Sequence, residues 1–145
     1  MRYATLPDVQ LAIPAQTLIW LSNDDSAATT IDETVVDDAV RQAEELVDAH
    51  LRGRYALPLS PVPTVVKDLV VHLARHNLYA RRPEGADLPD AVVRTYKASM
   101  ELLREIRNGV VTIGDPATGA AQAERGEARV RARRRTFGQD VMDRY

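Results

Sequence analysis

The chain has 145 residues, 45% of them apolar and 28% charged, which suits one soluble globular domain with a modest core. It has no cysteine, which excludes a disulfide scaffold and thiolate chemistry, and it shows no leader-like opening and no apolar run long enough to span a bilayer, so a cytosolic setting without membrane contact is expected. The net charge of −2 hides a split: residues 1–51 carry ten acids against Arg2 and Arg41 (−8), and residues 52–145 carry seventeen bases against eleven acids (+6). Such a split fits solvated surface, and it also fits copies packing acidic face to basic face in a heterologous ring.

In chain order, Thr5-Leu-Pro-Asp8 reads as a capping box with proline tolerated in the first turn, predicting a short helix from Leu6 to Ala12 that Pro14 stops. Pro14 then opens a second short helix through Leu18, Ile19, Trp20 and Leu21, and SNDDSAAT is a loop. Thr30-Ile-Asp-Glu33 repeats the capping pattern before a long helix reaching about Arg52. Its apolar face is Val36, Val40, Ala43, Val47 and Leu51, with Asp37, Asp38, Glu44, Glu45 and Asp48 expected mostly on the other side.

LRGRYALPLSPVP, residues 51–63, is a stiff connector with three prolines, which restrict the backbone and hold Leu57, Leu59 and Val62 across the bundle. Such a rigid base fixes Arg52, Arg54 and Tyr55, as residues of a subunit interface require. Thr64 is expected to cap a third long helix, apolar around most of its circumference, leaving a narrow polar stripe through Asp68, His72, Arg75, His76 and Tyr79. After the loop RRPEGADLP, a last core helix runs from Asp90 to about Asn108, with Val92, Tyr96, Met100, Leu103 and Ile106 inward and Asn108-Gly109 as its stop. From Gly114 the composition turns to Gly, Ala, Pro, Glu and Arg without apolar periodicity. The expected architecture is therefore all-α: a small bundle of about five helices with a proline-rich connector, divided into a core of residues 1–111 and a C-terminal arm of residues 112–145 that takes up structure on binding.

Motifs for catalysis and metal binding are weak. His72 and His76 stand four apart, with Asp68 a turn earlier, but the glutamate of a zinc-protease helix is replaced and Arg75 adds positive charge beside the pair. Counted as a calcium loop from Asp24, the sequence has Ala28 and Thr29 where a ligand and glycine belong, and Val35 where glutamate belongs. No nucleophile elbow or phosphate-cradling glycine loop occurs. The residues thus predict no enzyme, no catalytic residue, no metal and no cofactor.

The arm carries the most unusual chemistry. Arg129, Arg131, Arg133, Arg134 and Arg135 place five guanidinium groups within seven residues, each able to fork onto a carboxylate or phosphate. Phe137, Val141, Met142 and Tyr145 follow, apolar anchors of the kind a segment uses when it orders on a partner. Phe137, Met142 and Tyr145 with the five arginines form the candidate partner-binding arm.

The connector LRGRYALPLSPVP, followed by TVVKDLVVHLARHNLY, resembles the Mu-like phage head–tail connector (adaptor) family. The resemblance extends through YATLPDVQLAI, IDETVVDDAVRQAEELVDAHL and YKASMELLREIRNGVVTIG, most of residues 2–114. It implies a structural subunit of a tailed phage or prophage, located in the virion at the head–tail interface after assembly in the bacterial cytoplasm. Such subunits form a homo-oligomeric ring of about twelve copies beneath the portal protein. They join the portal to a downstream tail-joining or stopper protein, and packaged DNA passes through the opening. On this reading Asp37, Asp38, Glu44 and Glu45 of the acidic helix face a basic surface on the neighbouring copy, together with Arg52, Arg54 and Tyr55, while the arm reaches the portal. The alternative is a small nucleic-acid-binding protein using the arginine-rich tail, for which phosphate contacts predict steep salt dependence.

Overall fold

Five helices account for the computed structural model, which describes residues 1–81 and 87–113: α1 Leu6–Ala12, α2 Ala15–Ser22, α3 Glu33–Leu51, α4 Thr64–Ala80 and α5 Asp90–Asn108. Among the described residues there is no strand, so the fold is an all-α bundle. The candidate arm residues Arg129, Arg131, Arg133, Arg134, Arg135, Phe137, Met142 and Tyr145 lie outside the described residues.

Local chemistry sets each helix start. In α1 the Asp8 carboxylate reaches back to the Thr5 backbone N–H at 2.8 Å, as the capping box predicts, and Pro7 occupies the first turn. Asp8 also receives the Thr5 hydroxyl and pairs with Lys67 at 3.2 Å. The Thr5 contacts, ahead of Lys67, hold its carboxyl below the ordinary value. In α3 the cap is Asp32 rather than the expected Thr30: its carboxylate accepts from the N–H groups of Thr34 (3.0 Å) and Val35 (3.3 Å). A carboxylate two residues nearer the first turn satisfies orphan donors that the threonine would have had to reach. Nor does Thr64 cap α4; it is the first helical residue, and Pro63 precedes it in extended conformation.

The α4 helix is the centre of the bundle. Val66, Leu69, Val70, Leu73, Ala74 and Leu78 are buried in it, each large side chain contributing roughly 1.5–3 kcal/mol by leaving water. Val65, at its start, lies on the surface. The α3 helix packs along α4, its Ala39 carbonyl receiving the Asn77 amide at 3.3 Å, while residues 52–63 join the opposite ends, so the two run antiparallel. The α5 helix packs on both and is antiparallel to α4: His76 stacks on Tyr96 and His72 stands beside Ser99. On the remaining sides α1 and α2 pack across α3 and α4.

The connector lays Leu57, Leu59 and Val62 half-buried against the core, as its composition predicts; its Leu57–Pro58 and Ser60–Pro61 peptides are cis. The acid-rich loop before α3 is tied from both ends. The Asn23 amide donates to the Ile19 and Thr30 carbonyls, the buried Ser22 hydroxyl accepts from the Asp32 N–H, and Asp24 pairs with Arg81 at 2.8 Å.

Candidate assembly surface

The acids of α3 divide in a way that periodicity alone does not show. Asp37, Asp38 and Glu45 are exposed, whereas Glu44 is 1% exposed and Asp48 is buried beside it. This corrects the expectation that Glu44 faces a neighbour and that Asp48 lies on the polar side. Residues 2 and 3 cover both acids. Glu44 accepts from the backbone N–H groups of Arg2 (2.5 Å) and Tyr3 (2.7 Å). Asp48 accepts from the Tyr3 hydroxyl (2.6 Å) and the Arg2 guanidinium (2.8 Å), and Arg2 also reaches Glu45 at 2.7 Å. Two buried carboxylates are tolerable here because cation and donors meet them together. Burial, and then the hydrogen bond to Asp48, pushes the Tyr3 phenol up to about 12. The clue in the sequence was Arg2, one of only two bases in an acid-rich half.

The RGRY segment has a second internal role. Leu51 ends α3, and its carbonyl receives the N–H groups of Arg54 (2.9 Å) and Tyr55 (3.0 Å), turning the chain sharply. Tyr55 is thereby buried, its hydroxyl accepting from the Ile113 N–H at 3.1 Å. The Arg54 guanidinium lies over Gly109, the left-handed residue (φ 82°) that closes α5. Its Nε is buried and without a hydrogen-bond partner among the described residues. Arg54 and Tyr55 therefore grip the segment where α5 hands over to residues 114–145. Of the predicted interface set, Arg52, Asp37, Asp38 and Glu45 are exposed, Arg54 is half-buried, and Glu44 and Tyr55 are interior.

The exposed charge of α3 and of α5 differs in balance. Exposed acids on α3 (Glu33, Asp37, Asp38, Glu45) face Arg41 alone on that helix, and Arg41 pairs with Asp38 at 2.7 Å. Exposed bases outnumber exposed acids on α5: Arg94, Lys97, Arg104 and Arg107 stand against Asp90 and Glu101, with Glu105 half-buried.

The histidine stripe is a seam between α4 and α5. His72 Nδ1 lies 3.4 Å from the Ser99 hydroxyl, His76 stacks on Tyr96 with centroids 3.9 Å apart, and the Arg75 guanidinium sits over the Tyr79 ring. Among the described residues no three His, Cys, Asp or Glu side chains converge to hold a metal ion. None of their helices is long and apolar enough to cross a membrane.

A small all-α bundle whose connector grips the root of a long C-terminal segment, with exposed acids in excess on α3 and exposed bases in excess on α5, defines a protein built around its surfaces. The chain belongs to the bacteriophage Mu Gp36 family, whose model matches residues 3–132. It is similar to the Mu-like prophage FluMu protein gp36 of Haemophilus influenzae, 29% identical over 97 residues, which cover 67% of this chain and 62% of that protein's length. It is also similar to gene product J of Escherichia phage Mu, 27% identical over 124 residues, which cover 86% of this chain and 84% of the phage protein. This is a Mu-like phage protein.

Proposed function

We propose that the chain is a head–tail connector (adaptor) subunit of a Mu-like phage or prophage, a structural protein without catalytic activity. Copies associate side by side in a ring beneath the portal protein, in the virion at the head–tail interface, and join it to the next tail protein, with packaged DNA passing through the opening. The observation that carries this reading is the unequal exposed charge of two helices of one bundle, acids in excess on α3 and bases in excess on α5. A heterologous ring needs two complementary patches on each copy. The family membership supports the phage setting. The arm, through Arg129–Arg135 and the apolar residues after them, contacts the portal.

The test is binding to the portal protein of the same phage, comparing the full chain with one ending at Thr112 and weighing the complexes directly. The expected result is about one added copy per portal subunit for the full chain and none for the shortened one. Binding by both places the contact in the bundle instead of the arm. Binding by neither, with salt-sensitive retention of the full chain on nucleic acid, favours the arginine cluster as a phosphate-binding element.

A further inference from the structure

Between α4 and α5 runs a groove of about 310 Å³, lined chiefly by Val65, Leu69 and His72 on one side and Ala98, Ser99 and Leu102 on the other. A second depression of about 240 Å³ continues it past Asp68 and His72 toward α1, walled by Leu11, Ala12 and Val71 and by the Asp8–Lys67 ion pair. Its rim is unusually apolar for open surface, since Leu11 is 89% and Val65 36% exposed. Contiguous exposed apolar surface of this kind marks a place where something docks.

We infer that the occupant, in the unassembled subunit, is the chain's own last segment, residues 137–145. The order of the helices brings it there. Leu102 stands opposite Val65, and α5 continues from Leu102 to Asn108, so the described residues end, at Ile113, toward the Val65 end of the groove. Twenty-three residues separate Ile113 from Phe137, enough to reach roughly 80 Å at full extension, while α4 is only about 25 Å long. Phe137, Val141 and Tyr145 recur at the four-residue spacing with which groove-binding segments present apolar anchors, and Met142 adds a fourth. A tethered segment also meets its own groove at an effective concentration near millimolar, which a free second copy at about micromolar does not match. The contact is independent of the adaptor reading and bears on it, for a partner that takes up the arm must displace it from this groove.

The absence of native cysteine makes the test clean. Two full-length double variants are oxidised mildly at low protein concentration: Ala98→Cys/Gln139→Cys, across the groove, and Gln42→Cys/Gln139→Cys, with the first cysteine on α3. Ala98 and Gln42 are both exposed, so neither change disturbs the core. The expected result is disulfide closure within one chain at least about tenfold faster for the 98–139 pair, a preference that adding Phe137→Ala and Tyr145→Ala removes. Equal rates for the two pairs, or disulfides formed only between copies, overturn the inference. Weighing portal complexes separates the two proposals. Closure at 98–139 without portal binding keeps this inference and removes the adaptor reading, and portal binding without that preference does the reverse.

Discussion

The guanidinium of Arg54 lies so close over Gly109 that a Cβ there would come within 2.8 Å of its Cζ. Gly109 is also the one described residue with positive φ, closing α5 in the left-handed region. Gly109→Ala therefore meets two penalties: about 1–2 kcal/mol for a side chain in that backbone region, and the displacement of a packed arginine. Urea unfolding of Gly109→Ala, Arg54→Ala and the double variant separates them. The double variant is expected to be more stable than the sum of the single losses requires, by about 0.5–3 kcal/mol. Strict additivity would show that the arginine yields freely.

The Tyr3 phenol gives the fold an alkaline limit. Its pKa rises from 10.0 to about 12 on folding, through burial and then its bond to Asp48. The stability this contributes is complete below about pH 10 and is lost as pH rises through about 12, and two units of linkage amount to about 2–3 kcal/mol. In Tyr3→Phe, stability at neutral pH should fall by about 0.5–1.5 kcal/mol with the lost hydrogen bond, and the decline between pH 10 and 12 should become shallower. Chemical denaturation across that range reads both; an unchanged decline would assign it to other tyrosines.

Glu44 and Glu45 are neighbours in sequence with opposite fates. Removing Glu44 leaves the N–H groups of Arg2 and Tyr3 without their acceptor, so Glu44→Ala should cost about 1–3 kcal/mol for each donor left buried. Glu45 meets Arg2 at the surface, and Glu45→Ala should stay within about 0.5 kcal/mol of the parent. Equal losses in thermal unfolding would refute the division of α3 into a structural and a solvent-facing acid set.

The helices were legible because they are periodic over many residues, and all five fall where spacing, prolines and Gly109 put them. What local pattern could not carry is contact from afar. Glu44 and Asp48 read as solvent-facing until residues 2 and 3, more than forty positions away, close over them. Tyr55 read as an exposed interface residue until Ile113 arrives from the end of α5. The exposed candidates Asp37, Asp38 and Arg52 were legible, since nothing distant competes for them. The cap of α3 slipped from Thr30 to Asp32 because both residue types satisfy the same pattern, and only geometry chooses.

Tyr55 should control order at the root of the arm more than global stability. Its hydroxyl takes the Ile113 N–H, the last described backbone donor. Tyr55→Phe is expected to lower unfolding free energy by only about 0.5–1.5 kcal/mol. The Ile113 amide should nevertheless lose most of its protection from hydrogen exchange, while amides in the middle of α4 keep theirs. Uniform loss of protection along the chain would mean that the hydroxyl supports the bundle as a whole.

Charge reversal tests whether the α3 and α5 faces meet between copies. Asp37→Lys with Asp38→Lys removes exposed acids, and the one internal pair lost, Asp38 with Arg41, is worth only about 0.3–0.5 kcal/mol on a helix surface. Arg104→Glu with Arg107→Glu changes residues that are likewise exposed, so folding should survive in both variants. Each face reversed alone turns attraction into repulsion and should abolish ring formation on the portal, most clearly at low salt where screening is weakest. With both faces reversed in one chain, the patches are again complementary and rings should return. A stability effect would instead accumulate, leaving the fourfold variant the poorest of the three. Sedimentation of the portal complexes distinguishes these outcomes, and recovery in the fourfold variant is the result that a merely solvated charge pattern has no means to produce.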